Sequence, residues 1–430
     1  YDEYFALGQS AWCGAKYYPS EKIVKQVDKS INFINDYGAF IKSIQAASSK
    51  SMEAKGEQIS AILKSVIEIA KVANKKAKRL WLPNIPNIIV TDNIISKYSI
   101  SFTPYNIEAI IGEYDAPEKQ EQGIVKYNLL EDGNTLIYGN DGSEKEMLLN
   151  TIIYSTCKYH KEEEINYYII DYGSESLRRF ISLPQVGGIV FSGEEEKYNN
   201  LLKLLKEELL KRKKLFVDSG GSYLNYIKTS DSKLPVITVV INNFDSLYES
   251  NPNLYEEISD LIRDSVNYGV VFIITANAVN SINSKLTSNF TNVYAFKLKD
   301  TSDYSSVLGS RVKTMPRDIL GRGYLKNDGI HEFQTASITE DENNLNDYLQ
   351  TFIKEQRENN ENKAKRIPTL PDIIRFKDIE EEVIDIRNIP VGISKKDLEI
   401  VTVDYSANIG NIITSNRISN TTKFIKSLLM

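Results

Sequence analysis

The stretch IYGNDGSEKEML, residues 137–148, carries the clearest chemical pattern in the chain. An apolar run enters Gly139; Gly142, Ser143 and Lys145 follow, and then a second hydrophobic run begins. That order suits a loop that leaves a strand, wraps phosphates with backbone N–H groups and opens a helix whose N-terminus favours anions. The full pattern is G-x-x-x-x-G-K-[ST], where lysine reaches the β- and γ-phosphates and the hydroxyl holds Mg²⁺. Over Gly139, Asn140, Asp141, Gly142, Ser143, Glu144, Lys145 and Glu146 the chain departs from it twice. Glu144 replaces the second glycine and brings a negative charge into the phosphate path. Glu146 replaces the hydroxyl with a carboxylate, which can ligate Mg²⁺ but repels a triphosphate at close range. Nucleotide binding is therefore expected to be weakened.

Hydrolysis needs a second element, an apolar strand ending in an aspartate for the Mg²⁺ shell and often a glutamate that orients or deprotonates water. The run ITVVI (237–241) is present, but Asn242 and Asn243 follow it. Neither amide serves as a carboxylate base, and losing general-base chemistry costs about 10²- to 10⁴-fold in rate. Asp245 would have to swing back to replace them. Fast hydrolysis is not expected. Lys145 reads either as a phosphate ligand or as a solvated lysine in a first helical turn. Asp171 reads as a turn or cap residue. Gly321 and Gly323 of GRGY read as a turn between strands, with Arg322 exposed.

These residues require a scaffold in which strand ends meet helix starts. Strands are predicted at 134–139, 165–173, 234–244, 269–277 and 292–298, and helices at 146–156, 197–216 and 254–267. LPVITVVINNF (234–244) is a continuous apolar run, as in a buried parallel strand. The alternation predicts an α/β fold of the phosphate-loop class with a mainly parallel sheet flanked by helices, plus helical linker segments. Residues 31–79 are predicted helical, with Ile59, Ile62, Leu63, Val66, Ile67, Ala70 and Ala73 on one face. That face and helix 254–267 are expected to be packing surfaces. The strand order cannot be read.

At 430 residues the chain is long enough for two to three units. Its net charge of −6 offers no global attraction to nucleic acid or acidic membranes, and its basic runs sit near predicted helix ends. Cys13 and Cys157 give no disulfide framework, and His160 and His331 lack a second ligand at helical spacing. No apolar run reaches about 18 residues. The chain begins with Tyr1 and carries no visible signal peptide, the pattern expected of a piece of something larger.

An internal repeat refines the organisation. LPNIPNII (82–89) returns as IPTLPDII (367–374), and NTLIYGNDGSEKEMLLNTII (134–153) aligns with GNIITSNRISNTTKFIKSLL (410–429). The expected division is 1–20, the tail of a preceding module; 21–80, a helical linker; 81–340, a complete module; 341–366, a linker helix; and 367–430, the start of a following module.

Taken together, IGEYDAPEKQEQGIVKYNL (111–129), the degraded loop, YYIIDYG (167–173), LPVITVVINNFDSL (234–247) and LGRGYL (320–325) resemble successive motifs of an FtsK/SpoIIIE-type ATPase module. Gly112, Asp115, Pro117, Gln120 and Gln122 resemble the G-x-x-D-x-P-x-x-Q-x-Q approach of type VII secretion ATPases of the EssC/EccC kind. This resemblance covers nearly the whole chain. It implies a membrane-anchored, virulence-linked motor with three ATPase modules in series on the cytoplasmic face. The motor would export small helical WxG-motif proteins and assemble as a homo-oligomeric ring; no nucleic acid partner is expected, given the net charge of −6 and the lack of a basic, aromatic-interleaved stripe. A pocket on a module of this family can receive a linker or a substrate's C-terminal signal. Residues 139–146 are then the degenerate Walker A position, and Asn242 and Asn243 the degenerate Walker B position. ATP is the implied ligand, bound weakly or not at all, with Mg²⁺ only alongside it; no metal site of the chain's own is expected. Two alternatives stay open: a slow ATP-hydrolysing module that drives translocation, and, less favoured, a DNA translocase.

Overall fold

The computed structural model describes residues 8–9, 12, 14–18, 30–44, 55–76, 82–140, 142–251, 254–360, 362–370, 373–375, 379, 387, 389–394, 399–404, 406 and 412–428. The chain divides into two units, 1–80 and 81–430.

In the first unit, β1 (Ile31–Ile34) and β2 (Phe40–Ile44) pair antiparallel, where helix was predicted. Asn35 explains the difference: its side-chain oxygen accepts from Tyr37 N and Ala39 N, and Gly38 supplies φ +78° for the reversal. The predicted helix survives as α1 (Gln58–Val72), but it carries no buried residue. Ile62, Leu63, Val66 and Ile67 stay at least half exposed, so the expected packing face is not covered by described residues.

The second unit opens with α2 (Thr91–Tyr98), β3 (Glu108–Ala116) and β4 (Glu121–Asn128). The chain then alternates through β5 (Thr135–Tyr138), α3 (Gly142–Tyr159), β6 (Ile165–Asp171), β7 (Val186–Phe191), α4 (Glu195–Leu215), α5 (Tyr223–Thr229) and β8 (Val236–Asn242). It continues with α6 (Phe244–Ser250), α7 (Leu254–Ser265), β9 (Val270–Ala276), α8 (Ser284–Thr287), β10 (Asn292–Ala295) and α9 (Thr301–Leu308). After these come β11 (Arg322–Lys326), β12 (Ile330–Thr335), α10 (Leu345–Asn359), the hairpin β13 (Ile389–Ile393) and β14 (Ile400–Val403), and α11 (Ile418–Leu428).

Strands β3 to β12 form one ten-stranded sheet in the order β4-β3-β12-β11-β10-β5-β9-β8-β6-β7. From β10 to β7 all neighbours are parallel, while β11, β12, β3 and β4 extend the sheet antiparallel. The predicted α/β class with a mainly parallel sheet between helices is what the chain forms. Strands β5 to β9 are buried along their whole length, as their apolar runs demand. One face packs on α3, α5 and α10, including Leu148, Ile152, Tyr223 and Phe352. The other packs on α4, α6, α7 and α9, including Leu205, Phe244, Ile262 and Tyr304. Helix 254–267 is thus a packing element, as expected.

β7 is an outer strand, and residues 364–368 run along it. Ala364 N donates to Pro184 O, Ile367 N to Gly187 O and Tyr168 Oη to Lys365 O. This strap covers a sheet edge that would otherwise offer unpaired backbone groups. α11 begins 276 residues after α3, the same offset as the sequence repeat. Among the described residues no helix is long and apolar enough to cross a membrane.

Candidate nucleotide site

The loop 139–146 runs from β5 into α3, the strand–loop–helix path its sequence predicts. Asp141 lies outside the described residues. Lys145 is not a solvated surface lysine: it is 2% exposed. Its Nζ donates to Gly139 O at 2.6 Å and to Asn277 Oδ1. Burying an ammonium is costly without acceptors, and these two oxygens help to supply that need. Lys145 therefore lies across its own loop, toward the end of the neighbouring strand β9.

The two glutamates also have structural work. Glu144 is buried and its Oε2 accepts from Lys297 N at 3.2 Å, so the carboxylate ties the loop to the segment after β10. Glu146 Oε1 accepts from Ser174 Oγ at 2.5 Å. Asn140 N donates to Lys297 O at 2.8 Å, and Gly139 N to Ala276 O at 3.2 Å. Beside α3, a cleft of about 280 Å³ is lined by Ser143, Glu146, Met147, Asn150, Ser337 and Thr339, among others. That volume lies just below the usual range for small-molecule pockets.

The strand-end positions form a connected polar network. Adjacent strands β5, β9, β8 and β6 bring together the loop, Asn277, Asn242 with Asn243, and Asp171, at the strand ends where ligands bind in such sheets. Asn242 Nδ2 donates to Asp171 Oδ1 at 2.9 Å, and Thr275 Oγ1 donates to Asn242 Oδ1 at 2.9 Å. Asn243 N donates to Thr275 Oγ1 at 2.8 Å. Asn243 itself sits at φ +64°, a left-handed conformation asparagine tolerates, and its side chain caps α6 through Ser246 N. Asn277 Nδ2 donates to Asn243 Oδ1 at 3.3 Å. Hydrogen bonds thus connect Lys145 to Asp171 through Asn277, Asn243, Thr275 and Asn242.

Asp171 is fully buried and accepts from Gly173 N and Leu177 N as well, so it is the turn residue the sequence suggests. Burial pushes its carboxyl above the ordinary range, against the three hydrogen bonds that favour the charged form. Asp245 does not swing back to Asn242; its Oδ2 accepts from Asn277 N at 2.8 Å and holds the turn after β9. Arg322 is a correction. It is 1% exposed inside β11, with Nε on Gln334 Oε1 at 2.8 Å and a second nitrogen on Ile85 O at 3.3 Å. Glu332, 3.6 Å away, offsets its charge. Gly321 does make the turn, at φ +77°, but Gly323 does not: it lies inside β11.

Sequence reasoning missed Asn277, Thr275 and the network through them. The available signal was positional: both lie at the end of GVVFIITAN, a strand adjacent to ITVVI.

The acids that would hold Mg²⁺ and activate water are absent from the end of β8, and Glu144 occupies a loop position that phosphates need open. The described residues therefore do not fit MgATP in the usual arrangement, and no hydrolytic step follows from them. The loop, its lysine and the parallel strand ends nonetheless define the phosphate-loop ATPase class of fold.

The FtsK/SpoIIIE family model matches residues 110–339, more than half of the chain, and the chain belongs to that family. Among curated relatives, the type VII secretion system protein EssC of Staphylococcus aureus (strain MRSA252) is 24% identical over 434 residues, covering 96% of this chain and 29% of that protein. The ESX secretion system protein EccC of Geobacillus thermodenitrificans (strain NG80-2) is 27% identical over 439 residues, covering 100% of this chain and 29% of that protein. The chain thus spans less than a third of the length of these relatives. Among solved structures, EssC (ATPases 2 and 3) from Geobacillus thermodenitrificans superposes with a TM-score of 0.72 at 27% identity, covering 81% of this chain and 67% of that one. EccC (ATPases 2 and 3) of Thermomonospora curvata, solved with a signal sequence peptide, gives 0.61 at 20% identity, covering 76% and 62%, a likeness of fold alone.

Proposed function

We propose that this chain is a segment of a type VII secretion ATPase in which residues 81–340 form a degenerate module with weak or no hydrolysis of its own. In this reading, residues 1–20 close a preceding module, 21–80 link the two, and 367–430 begin a following module. The observation that carries the proposal is the engagement of Lys145 by Gly139 and Asn277, together with the consumption of Asn242 and Asn243 by a polar network. The module acts in substrate recognition, assembly or regulation, and energy for export comes from another module of the same protein. Small helical WxG-motif proteins are the proposed cargo, and the whole protein is a membrane-anchored ring with this segment on the cytoplasmic face. The relatives' names support the secretion role.

Calorimetric titration of the chain with MgATP, beside Lys145→Ala, tests the proposal. Absent or millimolar binding and no turnover are expected. Turnover that Lys145→Ala abolishes would overturn it in favour of a slow hydrolysing module. That second reading rests on the preserved strand–loop–helix path and its buried lysine.

A further inference from the structure

Arg179, Lys354 and Arg357 converge on one groove of about 520 Å³ between α10 and the short turn of helix Ser176–Phe180. None of the three has a carboxylate within 4.0 Å among the described residues. Their surroundings make that unusual. Arg178 next in sequence pairs with Glu175, and Lys158 pairs with Asp92. Glu358 is the single carboxylate in the lining, against three cations. The groove is a positive site on a chain whose net charge is −6.

Its construction is more than a cluster of surface charge. Arg179 Nε donates to Ser176 O at 2.8 Å, which fixes the guanidinium plane. Gln350, Lys354 and Arg357 lie at four- and three-residue steps on α10 and so share one face. That helix is anchored through buried Leu349, Phe352 and Ile353, and Ile353 gives the groove an apolar floor. Ser182 and Gln350 add uncharged hydrogen-bonding groups.

We infer that this groove docks an acidic peptide segment of a partner protein. Carboxylates meet the forked guanidinium groups of Arg179 and Arg357, whose planar donors match them, and Lys354 adds a point charge. Backbone amides of the segment bond Gln350 and Ser182, and an apolar side chain covers Ile353. A bare phosphate would satisfy the cations alone and leave the apolar floor and the amide partners unused. Opposite charge raises the rate of encounter, and shape selects what stays. Arg179 also borders the cleft beside α3, so the docked segment lies next to the degenerate loop.

Fluorescence anisotropy of the 430-residue chain, without nucleotide, tests this independently of the ATP proposal. The probe is a labelled peptide alternating glutamate with leucine, beside its glutamine counterpart. Saturable binding of the glutamate peptide is expected, weakening as salt rises because solvent-exposed ion pairs are screened. Lys354→Glu with Arg357→Glu, both exposed on α10, is expected to weaken it about tenfold or more. Lys354→Gln with Arg357→Gln, a milder change, should give an intermediate loss. Equal binding of the glutamine peptide, no binding of either, indifference to the substitutions, or equal displacement by low-millimolar inorganic phosphate would each overturn the inference.

Discussion

Lys145 Nζ donates to the side-chain oxygen of Asn277, 132 residues away in the chain. The bond joins the first turn of α3 to the residue that follows β9. The Asn277 amide passes the connection on to Asn243. The lysine that a phosphate loop presents to its ligand is thus held within the protein's own polar network.

Removing Asn277 should be felt as lost stability. Asn277→Ala takes an acceptor from a buried ammonium and a donor from Asn243, and each buried group left unmet costs about 1–3 kcal/mol. The melting temperature should fall by roughly 2–4 °C per kcal/mol lost for a unit of this size. Calorimetric melting of the variant beside the parent checks this.

Restoring the missing acid at the end of β8 should not restore an ATPase. In Asn242→Asp, a carboxylate oxygen replaces the amide that donates to Asp171 Oδ1 at 2.9 Å. Two like charges at that separation cannot both ionise without penalty. The variant should be about 1–3 kcal/mol less stable at neutral pH, less so in acid, and still without turnover. Chemical denaturation at two pH values and a phosphate-release assay decide both points.

Asp171 makes a signed contribution to pH dependence. Its carboxyl titrates above the ordinary range because it is buried. Between the unfolded-state value and the raised folded-state value, the folded chain binds more protons than the unfolded chain. Stability from this group therefore falls as pH rises through that window, and the penalty is fully present above it. Urea unfolding of the parent against Asp171→Asn across the acid range should show a difference with that slope.

The strap along β7 depends on glycine. A Cβ at Gly187 would stand 2.6 Å from Lys365 O and 2.4 Å from the Tyr168 ring. Gly187→Ala should force the strap outward at a cost of about 1–3 kcal/mol. Hydrogen exchange at the Ala364 and Ile367 amides should quicken, while amides of β8 and β9 keep their protection.

Much of the scaffold was legible because it rests on local rules. The apolar runs at 165–171, 236–242 and 270–276 are strands in a parallel sheet, as buried-on-both-faces strands must be. The loop at 139–146 joins strand to helix because glycine, small polar residues and a following apolar run leave few other choices. Where local rules competed, the reading failed. At 31–44 a side-chain-braced reversal at Asn35 and Gly38 outweighed helical periodicity. At Arg322 a turn-like GRGY opened a buried strand, because Gln334, Glu332 and Ile85 from distant positions receive the guanidinium.

The sequence by itself determined that 144 carries no glycine, 146 no hydroxyl, and 242 and 243 no acid, since residue identity limits chemistry before any folding. It also determined the α/β class, through the lengths and periods of its apolar runs. Only the tertiary structure decided what the remaining residues do instead. Lys145, Asn277, Asn243, Asn242 and Asp171 come from four separate strand-and-loop segments, and the order β5-β9-β8-β6 sets their ends side by side. Strand order is fixed by packing across the whole sheet, so partners that meet through it leave no mark in the spacing of either residue.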